Sequence, residues 1–255
     1  MKLSIKYIRH LVLLTVNRAL AKSSLRNVKD GLYRSSIRRV PYISQFAKLT
    51  TEKDIKKIVV DPDVIGLQGY PTKEDFYFWN SRVCGIACIK MVLDSQEKSK
   101  NKTMWDFIQE GLELGGYKLH DAKGKFVDLG WFHKPLLELA QRYGMHGFLK
   151  QSLAIHNVAE EIVNGNYVIA SVKVPDRYGL EDDGSYFKDS YRGKTYGHLI
   201  LVTAVEIQSG FPKTFLAHNP TGYKKYEEDS IIDAETFTRI FNGRVIVLKA
   251  SSIGF

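Results

Sequence analysis

The stretch from Val83 to Leu93 is apolar except for Gly85 and Lys90, and it is too long for an ordinary strand. It therefore reads as a helix buried on nearly every side. Such a helix needs a domain wrapped around it, and 255 residues are enough for one full core. At 44% hydrophobic and 25% charged residues the composition excludes collagenous, coiled-coil and disordered classes.

Around this helix the pattern divides the chain. Thr51 with Asp54 predicts a short helix to about Val59, stopped at Asp61-Pro62-Asp63. Thr103 with Asp106 has capping spacing, Pro135 opens and Gly144 closes another segment, and Gly165 follows a helix over 158–164. From Tyr167 onward the pattern becomes β, with strands over 167–174, 198–207, 214–218 and 244–250. Gln208 to Lys213, with Gly210, reads as the hairpin joining two of them, and only Asp233 to Phe241 interrupts as a helix. The expected fold class is α+β: a helical half, containing the buried helix, packed on a C-terminal antiparallel sheet.

Residues 1–40 stand apart as a basic amphipathic segment and linker, with the domain occupying 41–255. Residues 1–50 hold eleven Lys and Arg against the single acid Asp30, which leaves the rest of the chain with a formal charge of −1. A basic charge confined to one arm makes nucleic acid an unlikely partner. Ile5, Ile8, Val12 and Val16 recur at helical spacing among Lys2, Lys6, Arg9 and Arg18. That pattern suits either a cover over the domain or a peripheral contact with an anionic membrane. Ser23 to Pro41 reads as a linker. Ala19-Leu20-Ala21 mimics a cleavage site, but Asn17-Arg18 interrupts the approach to it, so secretion is the minority reading and a cytoplasmic, membrane-associated protein the preferred one. Two cysteines cannot build a disulfide framework, and no apolar stretch approaches the length of a bilayer span.

A cysteine in the first turn of a buried helix has backbone N–H groups and the positive end of the helix dipole near its sulfur, which favours the thiolate. Cys84 holds that position; Cys88 reads as a small core residue. A nucleophilic thiol also needs an imidazole to take its proton and a polar side chain to orient the imidazole. His198 opens the most apolar strand, and Asn219 ends the next one. Both lie roughly ten residues from the hairpin, so adjacent antiparallel strands bring them side by side. His218, the neighbour of Asn219, should point to the opposite face.

The run from Trp79 to Leu93, with Cys84-Gly85-Ile86-Ala87, resembles the nucleophile helix of the bacteriocin-processing, double-glycine leader peptidases, which are papain-like cysteine peptidases. Gly197-His198-Leu199-Ile200-Leu201-Val202 resembles the family's Gly-His-x-x-Val-Val strand, and His218-Asn219-Pro220 stands where Asn-Asp-Pro is usual. The resemblance implies a papain-like fold and a thiol peptidase with Cys84 as nucleophile, His198 as base and Asn219 as orienting residue, acting on a peptide or protein substrate. The family's Gln, six residues before the nucleophile, is Phe78 here, and Asn80 is the nearest amide able to complete an oxyanion hole. The alternative is a catalytically silent domain that keeps the fold to bind peptides.

Trp131 and His133 are groove-lining candidates, although an indole is as readily a core residue. His120, His133, His146 and His156 lack metal-ligand spacing, so neither metal nor cofactor is expected. The polar, Tyr-rich stretch from Pro175 to Tyr196 leads into His198 and by position suits a lid.

Overall fold

A computed structural model describes residues 5–36, 39–46, 68–99, 101–121, 123–126, 128–175, 195–221 and 226–250. Its elements run α1 (Ile5–Leu25), β1 (Gly31–Arg34), α2 (Lys73–Trp79), α3 (Cys84–Ser95), α4 (Met104–Glu113), α5 (His133–Arg142), β2 (Gly147–Gln151), α6 (Ile155–Val163), β3 (Tyr167–Pro175), β4 (Thr195–Gln208), β5 (Phe211–His218), β6 (Ser230–Asp233), α7 (Ala234–Ile240) and β7 (Phe241–Leu248).

All strand pairs are antiparallel, in the order β2-β7-β3-β4-β5-β6. β4 is the axis of the sheet. It pairs with β3 over Thr195 to Val202 and with β1 over Ala204 to Ile207, while β5 holds its other side. β1 and β3 therefore lie end to end. The turn into β5 places Ser209 and Gly210 at φ 52° and 76°, the pair of left-handed residues that a tight hairpin matched to strand twist requires.

Alternate strand residues feed two cores. Tyr167, Ile169, Leu199, Leu201, Ile246 and Leu248 join α2–α5 on one face, and Val168, Ala170, Ile200, Val202, Val245 and Val247 join α6 and α7 on the other. α3 is buried on most sides, as its composition demanded, with only Cys84, Lys90 and Asp94 partly exposed. Gly85 is needed where α3 meets β4: a Cβ there would come within 2.7 Å of Leu136 Cδ1 and 2.9 Å of Leu199 Cδ1. The capping box expected at Thr103 and Asp106 opens α4. The architecture is the expected α+β.

The linker expected over Ser23 to Pro41 contains an edge strand. β1 pairs in register from Gly31↔Ile207 to Arg34↔Ala204, and Ser35 N–H donates to Thr203 O at 2.9 Å. Four residues are too few to show alternation, so the backbone of β4 supplies what the sequence of β1 does not. β2 and β6 are likewise strands that periodicity did not reveal. The helix expected from Thr51 lies outside the described residues, as do residues 176–194 of the lid candidate; the ends of that stretch, Pro175 and Thr195, pair as strand.

Candidate active site

α3 begins at Cys84, and the first backbone bond onto its N-terminus is Ala87 N–H to Val83 O at 2.8 Å. The N–H groups of Cys84, Gly85 and Ile86 consequently have no acceptor inside the helix. Val83, the N-cap, offers no side-chain acceptor either. This end of the helix abuts β4 beside His198: the backbone of Leu199 lies close enough to influence the Cys84 thiol, and Cys88 Sγ lies 3.6 Å from Leu199 O. Burial pushes the Cys84 thiol up, against the opposing pull of the Leu199, Gly85 and Cys84 backbone N–H groups. This burial opposes the thiolate that the helix terminus favours.

His198 and Asn219 meet as their strand positions predicted. His198 Nε2 and Asn219 Oδ1 are 2.8 Å apart, with His198 5% exposed and Asn219 2%. Asn219 Oδ1 also accepts from Thr221 N–H at 3.2 Å and Thr221 Oγ1–H at 3.1 Å, which fixes the amide with its oxygen toward the ring. An oxygen that only accepts requires the proton on Nε2, so Nδ1 keeps its lone pair, and it has no hydrogen bond among the described residues.

Thr221 is a member of the site that the sequence reading missed. β4 and β5 shift register between Val202 and Ala204, after which Leu201 faces His218, and continuing that register sets His198 opposite Thr221. Its Oγ1 lies 3.3 Å from His198 Nε2. The Asn-Pro-Thr sequence carried the clue, because an Asn side chain commonly accepts from the N–H two residues on. Thr221→Val removes one donor to Oδ1 while preserving volume, and should lower kcat about fivefold to tenfold, with Thr221→Ser restoring it. Equal kcat in Thr221→Val and the parent would remove Thr221 from the positioning network.

Burial lowers the His198 pKa to about 4, opposed by its bond to Asn219. The sign of the stability effect follows. Above about pH 6.5 the ring is neutral in both folded and unfolded chains and contributes no pH dependence; between 6.5 and 4 only the unfolded chain takes the proton, so stability falls as pH falls. The expected loss by pH 4 is about 3 kcal/mol from this group. Urea unfolding at pH 7 and pH 4.5 should therefore show a smaller acid loss in His198→Gln than in the parent, and parallel losses would contradict the assignment.

His218 is excluded as the base by its own bonds. Its Nε2–H donates to Val40 O at 3.0 Å and its Nδ1 accepts from Asp229 N–H at 3.0 Å, leaving no lone pair for a thiol proton. A cavity of about 570 Å3 lies beside it, lined by Arg34, Ser35, Arg39, Thr203 and Asp229 among others, and neither Cys84 nor His198 lines that cavity.

Asn80 caps α2, donating its backbone N–H to Phe76 O at 2.8 Å. The residue is 5% exposed. Phe78 is engaged elsewhere: its ring packs edge-on against Trp79, and the Arg82 guanidinium sits 4.4 Å from its centroid. Arg82 also pairs with Asp128 at 3.0 Å, and Asp128 accepts from Tyr117 Oη. Cys84 contributes to raising the Tyr117 pKa, which sets this network near the start of α3.

Trp131 lies in the helical core rather than on a groove wall. It is 7% exposed, with Tyr117 at 5.2 Å and Trp79 at 6.0 Å between ring centroids. His133, half-buried at the start of α5, has a buried Nε2 without a partner and makes no hydrogen bond to Cys84, His198 or Asn219. Among the described residues no cluster of His, Cys, Asp and Glu could hold a metal.

The family model described as Peptidase_C39 like family matches residues 37–245. Among solved structures, a protein titled as a C39-like peptidase from Bacillus anthracis is similar at 13% identity, covering 88% of this chain and 100% of that one, with a TM-score of 0.48. No curated protein matches. Both the helix that opens at Cys84 and the His198–Asn219 pair fall inside the matched span, and the chain belongs to the Peptidase_C39 like family.

Proposed function

We propose that this protein is a cysteine peptidase that cleaves peptide bonds through a thioester on Cys84. The observation that carries the reading is the 2.8 Å bond between His198 Nε2 and Asn219 Oδ1, which leaves Nδ1 as the ring's proton acceptor next to the helix that starts at Cys84. In the proposed first step Nδ1 takes the Cys84 proton as sulfur adds to the substrate carbonyl carbon, and the resulting oxyanion is held by the Cys84 N–H and the Asn80 amide. Collapse breaks the C–N bond, and the departing amine receives the proton from Nδ1. Water then gives a proton to Nδ1 and attacks the thioester, releasing the carboxylic acid and returning the proton to sulfur. Thiol and imidazole both start neutral, so proton transfer accompanies attack instead of preceding it.

The test is hydrolysis of a peptide mixture that includes Gly-Gly sequences, by the parent and by Cys84→Ala, with a thiol-directed electrophile mapped by mass spectrometry. Cleavage lost in Cys84→Ala, with Cys84 labelled much faster than the buried Cys88, supports the reading. Equal, slow labelling of both with no cleavage favours the second reading, a peptide-binding domain without turnover. The observation behind that alternative is Phe78, an apolar ring where the resemblance expects an amide donor.

A further inference from the structure

The 21-residue helix α1 has two apolar sides, and the domain uses one of them. The side turned toward the body follows His10, Leu14, Asn17, Ala21 and Leu25. His10 Nδ1 lies 2.8 Å from Ser152 Oγ, Asn17 Nδ2 donates to Ser152 O at 3.0 Å, and Asn157 Nδ2 donates to Asn17 O at 2.9 Å, while Ala21 and Leu25 are fully buried. Residues two apart on a helix point about 200° away from each other, so the interleaved series Ile5, Ile8, Val12, Val16 and Leu20 faces away from the body. These side chains are 85%, 47%, 55%, 48% and 64% exposed. An aliphatic stripe about 23 Å long on the outer side of a docked helix is unusual for a surface that meets only water.

We infer that this outward face of α1 seats the protein on an anionic lipid surface, with the helix lying in the plane of the headgroups. Charge selects this occupant. The N-terminal segment that carries the stripe is strongly basic and the remainder of the chain is close to neutral, so a second copy offers the stripe no complementary acid and would bring the two basic segments together. Arg9 lies within the outward half of the helix, where a long basic side chain reaches phosphate headgroups while the aliphatic groups enter the acyl boundary, whereas Lys22 packs over the Phe211 ring at 5.8 Å. No described helix is long and apolar enough to cross a membrane, which agrees with an interfacial placement. The role of a cover is disfavoured by position. α1 docks on α6, on the sheet face opposite α3, so its 21 residues do not lie over Cys84.

The test uses the full chain with vesicles of phosphatidylcholine, alone or mixed with phosphatidylglycerol, at low and high salt. Co-sedimentation with the anionic vesicles at low salt, falling at least about tenfold on neutral vesicles or at high salt, is the expected result. Val12→Glu with Val16→Glu should abolish it, and Arg9→Gln should weaken it about fivefold. These exposed substitutions leave the sheet and the His198–Asn219 pair untouched, so unchanged electrophile labelling at Cys84 certifies a folded domain. Three outcomes overturn the inference. They are a parent that stays in the supernatant with anionic vesicles at low salt, binding that persists in the double Glu variant, and a parent that self-associates without binding vesicles and becomes monomeric when Val12 and Val16 are replaced, which would assign the face to a second copy.

Discussion

His198→Ala is expected to lower kcat for peptide hydrolysis by about 10⁴-fold to 10⁶-fold, the scale on which removal of one member of a nucleophile–base pair removes the pair's function. The ring has one free nitrogen, and in the proposed mechanism Nδ1 carries the proton in both halves of the cycle, so no partial route survives its loss. Alkylation of Cys84 should slow in the same variant. His218→Gln provides the contrast. Both ring nitrogens of His218 are committed, to Val40 O and to Asp229 N–H, and an amide can replace one or both bonds. Its kcat should remain within a few-fold of the parent. Full turnover in His198→Ala, or loss of turnover in a folded His218→Gln, would move the base away from His198.

The arrangement behind that prediction was legible in the sequence wherever one local rule decided the outcome. The buried helix was readable because almost every residue from Val83 to Leu93 is apolar, leaving no solvent face to assign. The meeting of His198 with Asn219 followed from a tight hairpin with the two residues about equally far from it, and Ser209-Gly210 supplies that turn. What escaped depended on distant parts of the chain. β1 exists because β4 extends past the end of β3 and presents unpaired backbone from Ala204 to Ile207, a fact about β4 and not about Gly31 to Arg34. Thr221 enters the site through a register shift between Val202 and Ala204, which spacing counts cannot register. The burial that opposes a Cys84 thiolate was likewise hidden, because the helix terminus is visible in sequence while the packing around its first turn is not.

Asn80→Ala is expected to lower kcat about a hundredfold to a thousandfold while leaving the rate of Cys84 alkylation nearly unchanged. The separation of the two rates follows from where charge appears. Addition to a peptide carbonyl creates an oxyanion that must be stabilised by donors already in place, whereas simple alkylation of the thiol creates none. Cys84 N–H is one donor free of any helical acceptor, and a single N–H leaves the oxyanion short of a partner. Phe78 has only a ring to offer, and that ring lies under Arg82. Asn80 closes α2 immediately before the turn into α3 and is almost fully buried, with an amide that can donate. Asn80→Asp sharpens the test, since a carboxylate of the same shape cannot donate and would repel the oxyanion, and its kcat should fall at least as far as that of the Ala variant. If both variants turn over at the parent rate, the second donor is not Asn80, and the Cys84 N–H acts with a group outside this pair.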